Sequence, residues 1–156
     1  MDKQFMYELL ETASVSGNEM ELEEKIYRKM SDCKNLNVTV DEIGNVVAAI
    51  NESHPLKVLL TGHADEIGLM VSNYTSQGML KVVKQGGIYP SCYLGQKVRI
   101  YTQKGIVYGA VVTSRSLCKK EGLSDKDLTI DIGANTKEEA MKVVALGDTV
   151  TYDTDH

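Results

Sequence analysis

The sequence has few of the features that would tie a protein to nucleic acid or to a membrane. Its 156 residues include 17 Lys and Arg against 22 Asp and Glu, for a net charge of −5, and no basic run or basic aromatic patch occurs. The longest apolar runs are far too short to span a bilayer, and the N-terminus has no basic stretch followed by an apolar one. We therefore expect neither a nucleic-acid partner nor a membrane partner.

Cysteine is also scarce. Cys33, Cys92 and Cys118 are odd in number, far apart and outside any CxxC pair. This pattern favours reduced thiols in a cytoplasmic protein over disulfides or a zinc knuckle. A hydrophobic content of 42% with 25% charged residues is typical of a globular chain, long enough for one domain or two small ones.

The first third of the chain has the pattern of an α/β fold. Apolar residues at helical spacing follow Asp2, a candidate helix cap, and a second helix is predicted in SGNEMELEEKIYRKM with Asn18 as cap and Glu21 three residues on. NLNVTVDEIGNVVAAI predicts two short strands around Gly44 and Asn45. PLKVLLTG predicts a third strand, and its continuous apolar run indicates burial on both faces.

The pattern changes after about Val71. Short β-rich runs separated by glycine or polar turns predict a small β-barrel or sandwich, and one helix interrupts them in NTKEEAMKVVAL, with Thr136 as cap and Glu139 three residues on. We therefore expect a boundary near residues 71–73, with the second part inserted at the end of a strand.

A possible metal site lies in LLTGHADEIGLMV, Leu59 to Val71. Residues two apart in an extended segment project to one side, so His63 and Asp65 are expected together beyond the predicted third strand, where open α/β sheets bind ligands. The imidazole would bind zinc or cobalt while the carboxylate orients it. Alternatively, His63 is a loop histidine hydrogen-bonded to Asp65, with Glu66 in solvent. The spacing alone leaves both interpretations open.

The sequence resembles the dinuclear metallo-aminopeptidases of the tetrahedral aminopeptidase, glutamyl aminopeptidase and cellulase-M-like family. The resemblance rests on ordered motifs that cover nearly the whole chain: SVSGNE, DEIGNVVA, LLTGHADEIGLMV, GGIYP, GQKVRI, LTIDIGANTKEEA and LGDTV. In one departure, the segment after GAVVT reads SRSLCKKEG, where the family often has a histidine.

The resemblance implies a fold and a chemistry. His63 matches the first metal-ligand histidine of the family, and Asp65 matches the acid that orients it. Residues 1–71 would be the N-terminal part of an α/β/α sandwich, and residues 72–156 an inserted β-barrel-like lid or dimerisation domain that forms homo-oligomers. Family members remove N-terminal residues from peptides with two zinc or cobalt ions and a glutamate base.

The chain lacks most of that site. The family's remaining ligands and its base lie downstream of the inserted domain. His54 in a polar turn, His156 at the last position and Asp131 in a strand do not replace them. We therefore expect a truncated aminopeptidase that binds no metal tightly and is inactive alone. The alternatives are a non-catalytic assembly module, or a fragment whose exposed sheet edge a separate chain covers.

The sequence allows two environments for a pair of tyrosines in the Gly-rich loop. Tyr89 and Tyr93 flank Pro90, and they would either line a cleft or subunit contact or be ordinary half-buried side chains.

Overall fold

The structure is a computed structural model that describes residues 2–119 and 121–154. Two compact units divide the chain between Asp65 and Glu66. The first unit contains two helices and a two-stranded sheet, and the second contains a closed six-stranded barrel with one α-helix. The α/β composition and the β-barrel predicted from the sequence are thus confirmed.

Two helices open the first unit. Helix α1 spans Lys3–Glu11, and the Asp2 carboxylate accepts a hydrogen bond from the Phe5 amide, which confirms Asp2 as its cap. Helix α2 spans Met20–Ser31 and buries Leu22. The prediction of Asn18 as its cap is wrong, because the helix begins later and Glu19 holds the cap position without a side-chain cap bond.

The predicted hairpin follows. Strands β1 (Asn37–Val40) and β2 (Val46–Ala49) pair antiparallel. Asp41 closes the turn, where its carboxylate accepts hydrogen bonds from the Ile43 amide and from both the backbone and the side chain of Asn45.

The third strand predicted in this unit is not formed. Residues 55–65 have no regular secondary structure, and Leu59 and Leu60 are 83% and 90% exposed instead of buried. A strand needs a neighbour to satisfy its backbone groups, and in this unit β1 and β2 pair only with each other. The prediction of a buried third strand is therefore wrong for this segment.

The second unit is a barrel of six antiparallel strands in the order β3-β4-β7-β6-β5-β8, with β8 closing onto β3. Closure gives each strand of the sheet a neighbour on both sides. The strands span β3 Gly68–Tyr74, β4 Leu80–Gln85, β5 Lys97–Thr102, β6 Gly105–Val112, β7 Thr129–Asp131 and β8 Thr149–Tyr152.

Alternate residues of these strands fill the barrel, as expected for period-two side chains. The side chains that are completely buried on the strands are Leu69, Leu80, Val98, Ile100, Val111, Ile130 and Val150. Helix α3, Lys137–Val143, adds Ala140 to this core. Its predicted cap is confirmed, because the Thr136 hydroxyl accepts a hydrogen bond from the Glu139 amide at 3.2 Å.

The two loop tyrosines have different environments. Tyr93 is 1% exposed and stacks on Tyr152 with ring centroids 4.1 Å apart, whereas Tyr89 is 78% exposed. Burial, followed by the proximity of Tyr152, raises the pKa of the Tyr93 phenol far above its usual value. Tyr93 is therefore a core residue of the barrel, and Tyr89 belongs to the surface.

Cys33, Cys92 and Cys118 are free and exposed. Among the residues that the structure describes, no helix has the length and apolar character needed to cross a bilayer.

Candidate metal-ligand site

His63 and Asp65 lie in the irregular segment at the end of the first unit. The side chain of His63 is 86% exposed, and that of Asp65 is 41% exposed. His63 Nδ1 lies 3.0 Å from the Asp65 carboxylate oxygen Oδ1 and 3.0 Å from the Asp65 carbonyl oxygen. The two residues are therefore in contact, a feature shared by the metal-ligand and the loop-histidine interpretations.

These contacts determine the form of the neutral imidazole. Both oxygens near Nδ1 of His63 can only accept a hydrogen bond when Asp65 is ionised, so Nδ1 carries the proton and donates. The lone pair is then on Nε2, directed away from Asp65. An imidazole held in this way has its free nitrogen available to a metal ion, as metal-binding histidines do.

Ser16 extends the contact on the other side of Asp65. Its hydroxyl donates a hydrogen bond of 2.5 Å to Asp65 Oδ2 from the connection between α1 and α2. The hydrogen bond from Ser16, followed by the one from His63, holds the pKa of the Asp65 carboxyl below its usual value. A lowered pKa means that the ionised, bonded carboxylate stabilises the fold at neutral pH, and that this stabilisation is lost as the pH falls through the carboxyl pKa.

Sequence reasoning did not assign a role to Ser16. The motif SVSGNE contributed to the family resemblance, but 49 residues separate Ser16 from Asp65. No local pattern connects two positions so far apart, and only the folded first unit brings them together.

The other residues considered from the sequence have different roles. His54 lies exposed in its turn, where Nδ1 accepts a hydrogen bond from the Leu56 amide at 3.2 Å. Asp131 Oδ1 accepts a hydrogen bond from the Gly133 amide at 2.8 Å, a local contact at the end of β7. His156 lies outside the described residues.

The residues present do not fit a complete metal centre. No group of three or more His, Cys, Asp and Glu side chains capable of holding a metal ion occurs within residues 2–119 and 121–154. A zinc site normally has at least three protein ligands. Among the described residues, the first unit thus supplies one imidazole in contact with a carboxylate, His63 with Asp65, which is fewer groups than a zinc centre needs.

The fold is shared with a family of peptidases. A family model for M42 glutamyl aminopeptidase matches residues 44–156. The chain belongs to this family.

Individual relatives agree with this assignment. The chain is 35% identical over 153 residues to a lysyl aminopeptidase of Pyrococcus furiosus, a match that covers 92% of this chain and 43% of that protein. The TET1 peptidase of Pyrococcus horikoshii superimposes with a TM-score of 0.86 at 32% identity, over 98% of this chain and 47% of that one. A TET aminopeptidase from a marine sediment archaeon of the Thaumarchaeota superimposes with a TM-score of 0.85 at 32% identity, over 96% and 44%. The chain spans less than half the length of these relatives.

Proposed function

We propose that this chain is the N-terminal part of a metal-dependent aminopeptidase that removes N-terminal residues from peptides, and that it is inactive alone. The observation that carries the proposal is the Nδ1 contact of His63 with Asp65, found in a chain whose relatives are aminopeptidases. His63 would provide one ligand to a pair of zinc or cobalt ions, and Asp65 would orient it. The remaining ligands and the base would come from protein beyond the matched half.

The two units would have the separate roles that the family resemblance implies. The first unit, residues 1–65, would form part of an α/β/α catalytic sandwich, and the barrel unit, residues 66–156, an inserted lid or dimerisation domain. The boundary expected from the sequence, after residue 71, would fall inside β3. Support for the first assignment comes from the exposed apolar run Leu56–Leu60, which has the composition of a buried central strand. The free, exposed thiols favour a cytoplasmic location, where cysteines stay reduced.

A fusion protein tests the enzyme assignment. Residues 1–154 joined to the downstream half of the Pyrococcus furiosus lysyl aminopeptidase should hydrolyse lysyl-p-nitroanilide in the presence of zinc or cobalt. His63→Ala in this fusion should lower kcat/KM by about 100-fold or more, because loss of a ligand costs at least as much as loss of the group that orients it. His54→Ala is the matched control, since His54 is also an exposed histidine of the first unit, and it should leave the activity unchanged.

One result would refute the role of His63. If the folded, metal-loaded fusion turns over substrate equally well with and without His63→Ala, the histidine is not a ligand. The metal content of each variant, measured by mass spectrometry, shows whether the loss of activity accompanies loss of metal.

The second proposed function is homo-oligomerisation through the barrel unit. The Pyrococcus horikoshii relative is described as assembling into a tetrahedron or a large octahedral shell. On this chain, Ile106 and Tyr108 lie two residues apart on β6 and are 47% and 61% exposed, so both side chains are on the outer face of the barrel. Burying such side chains against a second copy would stabilise the assembly by roughly 25 cal/mol per Å² of apolar surface.

Light scattering on the 156-residue protein tests this second function. We expect an oligomer in the native protein and a smaller species in Tyr108→Glu, because the substitution would place a charge in the apolar contact. Tyr89→Glu is the control, since Tyr89 is another highly exposed tyrosine of the barrel unit. A native protein that stays monomeric at high concentration would argue against the assembly function.

A further inference from the structure

The connection between α1 and α2 contacts the acid beside the candidate metal ligand through Ser16. Ser16 lies in this connection, and its hydroxyl is 2.5 Å from Asp65 Oδ2. The other oxygen of the same carboxylate, Oδ1, is 3.0 Å from His63 Nδ1. The three side chains therefore form a continuous hydrogen-bonded chain in the order Ser16, Asp65, His63.

The direction of each bond follows from the chemistry of the groups. An ionised carboxylate has no proton, so the Ser16 hydroxyl must donate to Oδ2 and the His63 imidazole must donate to Oδ1. A hydroxyl bonded to a charged carboxylate oxygen belongs to a strong class of hydrogen bond. The carboxylate is thus restrained by one hydrogen bond on each of its oxygens.

The restraint matters because the segment that carries Asp65 has little support of its own. Residues 55–65 have no regular secondary structure. An aspartate on such a segment can rotate about two side-chain bonds and present either oxygen to the imidazole or to solvent. With Oδ2 held by Ser16, Oδ1 stays directed at His63.

The residue that supplies the hydroxyl is itself positioned by its neighbours. The Asn18 amide donates a hydrogen bond of 2.8 Å to the Val15 carbonyl, and this turn encloses Ser16 and Gly17. Gly17 has φ +93°, a backbone conformation that other residues adopt at a cost, and its amide donates to the Glu19 carboxylate at 2.8 Å. The hydroxyl therefore approaches Asp65 from a turn with its own hydrogen bonds.

We infer that Ser16 is a positioning residue that orients the Asp65 carboxylate and thereby keeps the His63 imidazole in the form protonated at Nδ1, with Nε2 free. This inference adds Ser16 as a third residue to the ligand site. It rests on the proposed function only for the statement that the orientation of His63 matters to metal binding. The geometry that it predicts exists in the metal-free chain and can be measured there.

His54 provides an internal control for the measurement. Its Nδ1 accepts a hydrogen bond of 3.2 Å from the Leu56 amide, a shorter contact than the 3.4 Å between Nδ1 and the Leu56 carbonyl oxygen. We therefore expect neutral His54 to carry its proton mainly on Nε2, the opposite form from His63. A single spectrum of the 156-residue protein should therefore contain histidines in both forms.

The experiment is two-dimensional NMR that correlates the ring nitrogens with the ring carbon-bound protons, recorded on ¹⁵N-labelled, metal-free protein at a pH where imidazole is neutral. The two forms have distinct nitrogen shifts. In the native protein we expect His63 to be mainly protonated at Nδ1 and His54 mainly at Nε2. Ser16→Ala should shift His63 toward the Nε2 form and leave His54 unchanged. Ser16→Thr, which keeps a hydroxyl, should restore the native population. Asp65→Ala should lower it further than Ser16→Ala does, leaving only the contact of Nδ1 with the backbone carbonyl of residue 65.

Two outcomes would overturn the inference. Either His63 keeps its native population in Ser16→Ala, or native His63 is already mainly in the Nε2 form. Rescue by threonine separates positioning from a general loss of structure, which would disturb both histidines. The measurement requires no metal and no turnover. The role of Ser16 can therefore be confirmed when the fusion enzyme is inactive, and it can be refuted when the fusion enzyme is active.

Discussion

The purified 156-residue protein is expected to release no p-nitroaniline above the buffer background from any aminoacyl-p-nitroanilide, with or without added zinc or cobalt. Two-metal hydrolysis requires several ligands that hold the two ions about 3.5–4 Å apart, and it also requires a base for the attacking water. The described residues of the first unit supply His63 and Asp65, and the part of the chain that the structure describes contains no group of three potential ligands. Assays over a panel of substrates, at enzyme concentrations high enough to detect weak turnover, measure this directly.

The assay of the isolated protein needs a positive control. The fusion with the downstream half of the lysyl aminopeptidase, assayed in the same buffer, provides it. Turnover by the isolated 156-residue protein that His63→Ala abolishes would show that the site is complete within this sequence, or completed by other copies of it. A background that is unchanged by His63→Ala would instead identify a contaminating peptidase.

Gly109→Ala is expected to destabilise the barrel strongly. A Cβ at Gly109 would lie 2.6 Å from Ile130 Cγ2 and 2.9 Å from the Asp131 carbonyl oxygen, and the second of these is backbone of the neighbouring strand β7. Ile130 is completely buried, so it has no free space into which to move. Overpacking of this kind costs about 1–3 kcal/mol, a large fraction of the free energy of unfolding of a small domain.

Denaturant unfolding followed by far-ultraviolet circular dichroism measures the effect. Gly87→Ala is the matched control in the same unit, because a Cβ there would have no heavy atom within 4 Å and its backbone lies outside the left-handed region. The control should change the unfolding free energy by less than about 0.5 kcal/mol. Equal stability of the two variants would mean that β6 and β7 do not approach each other as closely as described.

Local signals were sufficient for most individual elements. The cap residues Asp2 and Thr136 predicted two helix starts, and both accept the expected backbone hydrogen bond. Short alternating runs with glycine turns predicted the β-rich second half, because the alternation of inward and outward side chains depends on neighbouring residues of one strand. Asn18 shows the limit of this reasoning, because several nearby polar residues can compete for a cap and α2 begins after Glu19.

The sequence by itself determined the family, through ordered motifs, and also the helices, the hairpin and the strand-rich half, because these depend on residues close together in the chain. The tertiary structure decided three things that depend on distant partners. It chose a closed barrel over a sandwich, it left the apolar run before His63 unpaired, and it joined Ser16 to Asp65. An apolar run becomes a strand only when a second strand satisfies its backbone, and a serine acquires a role only when folding brings its hydroxyl within hydrogen-bonding distance of a carboxylate.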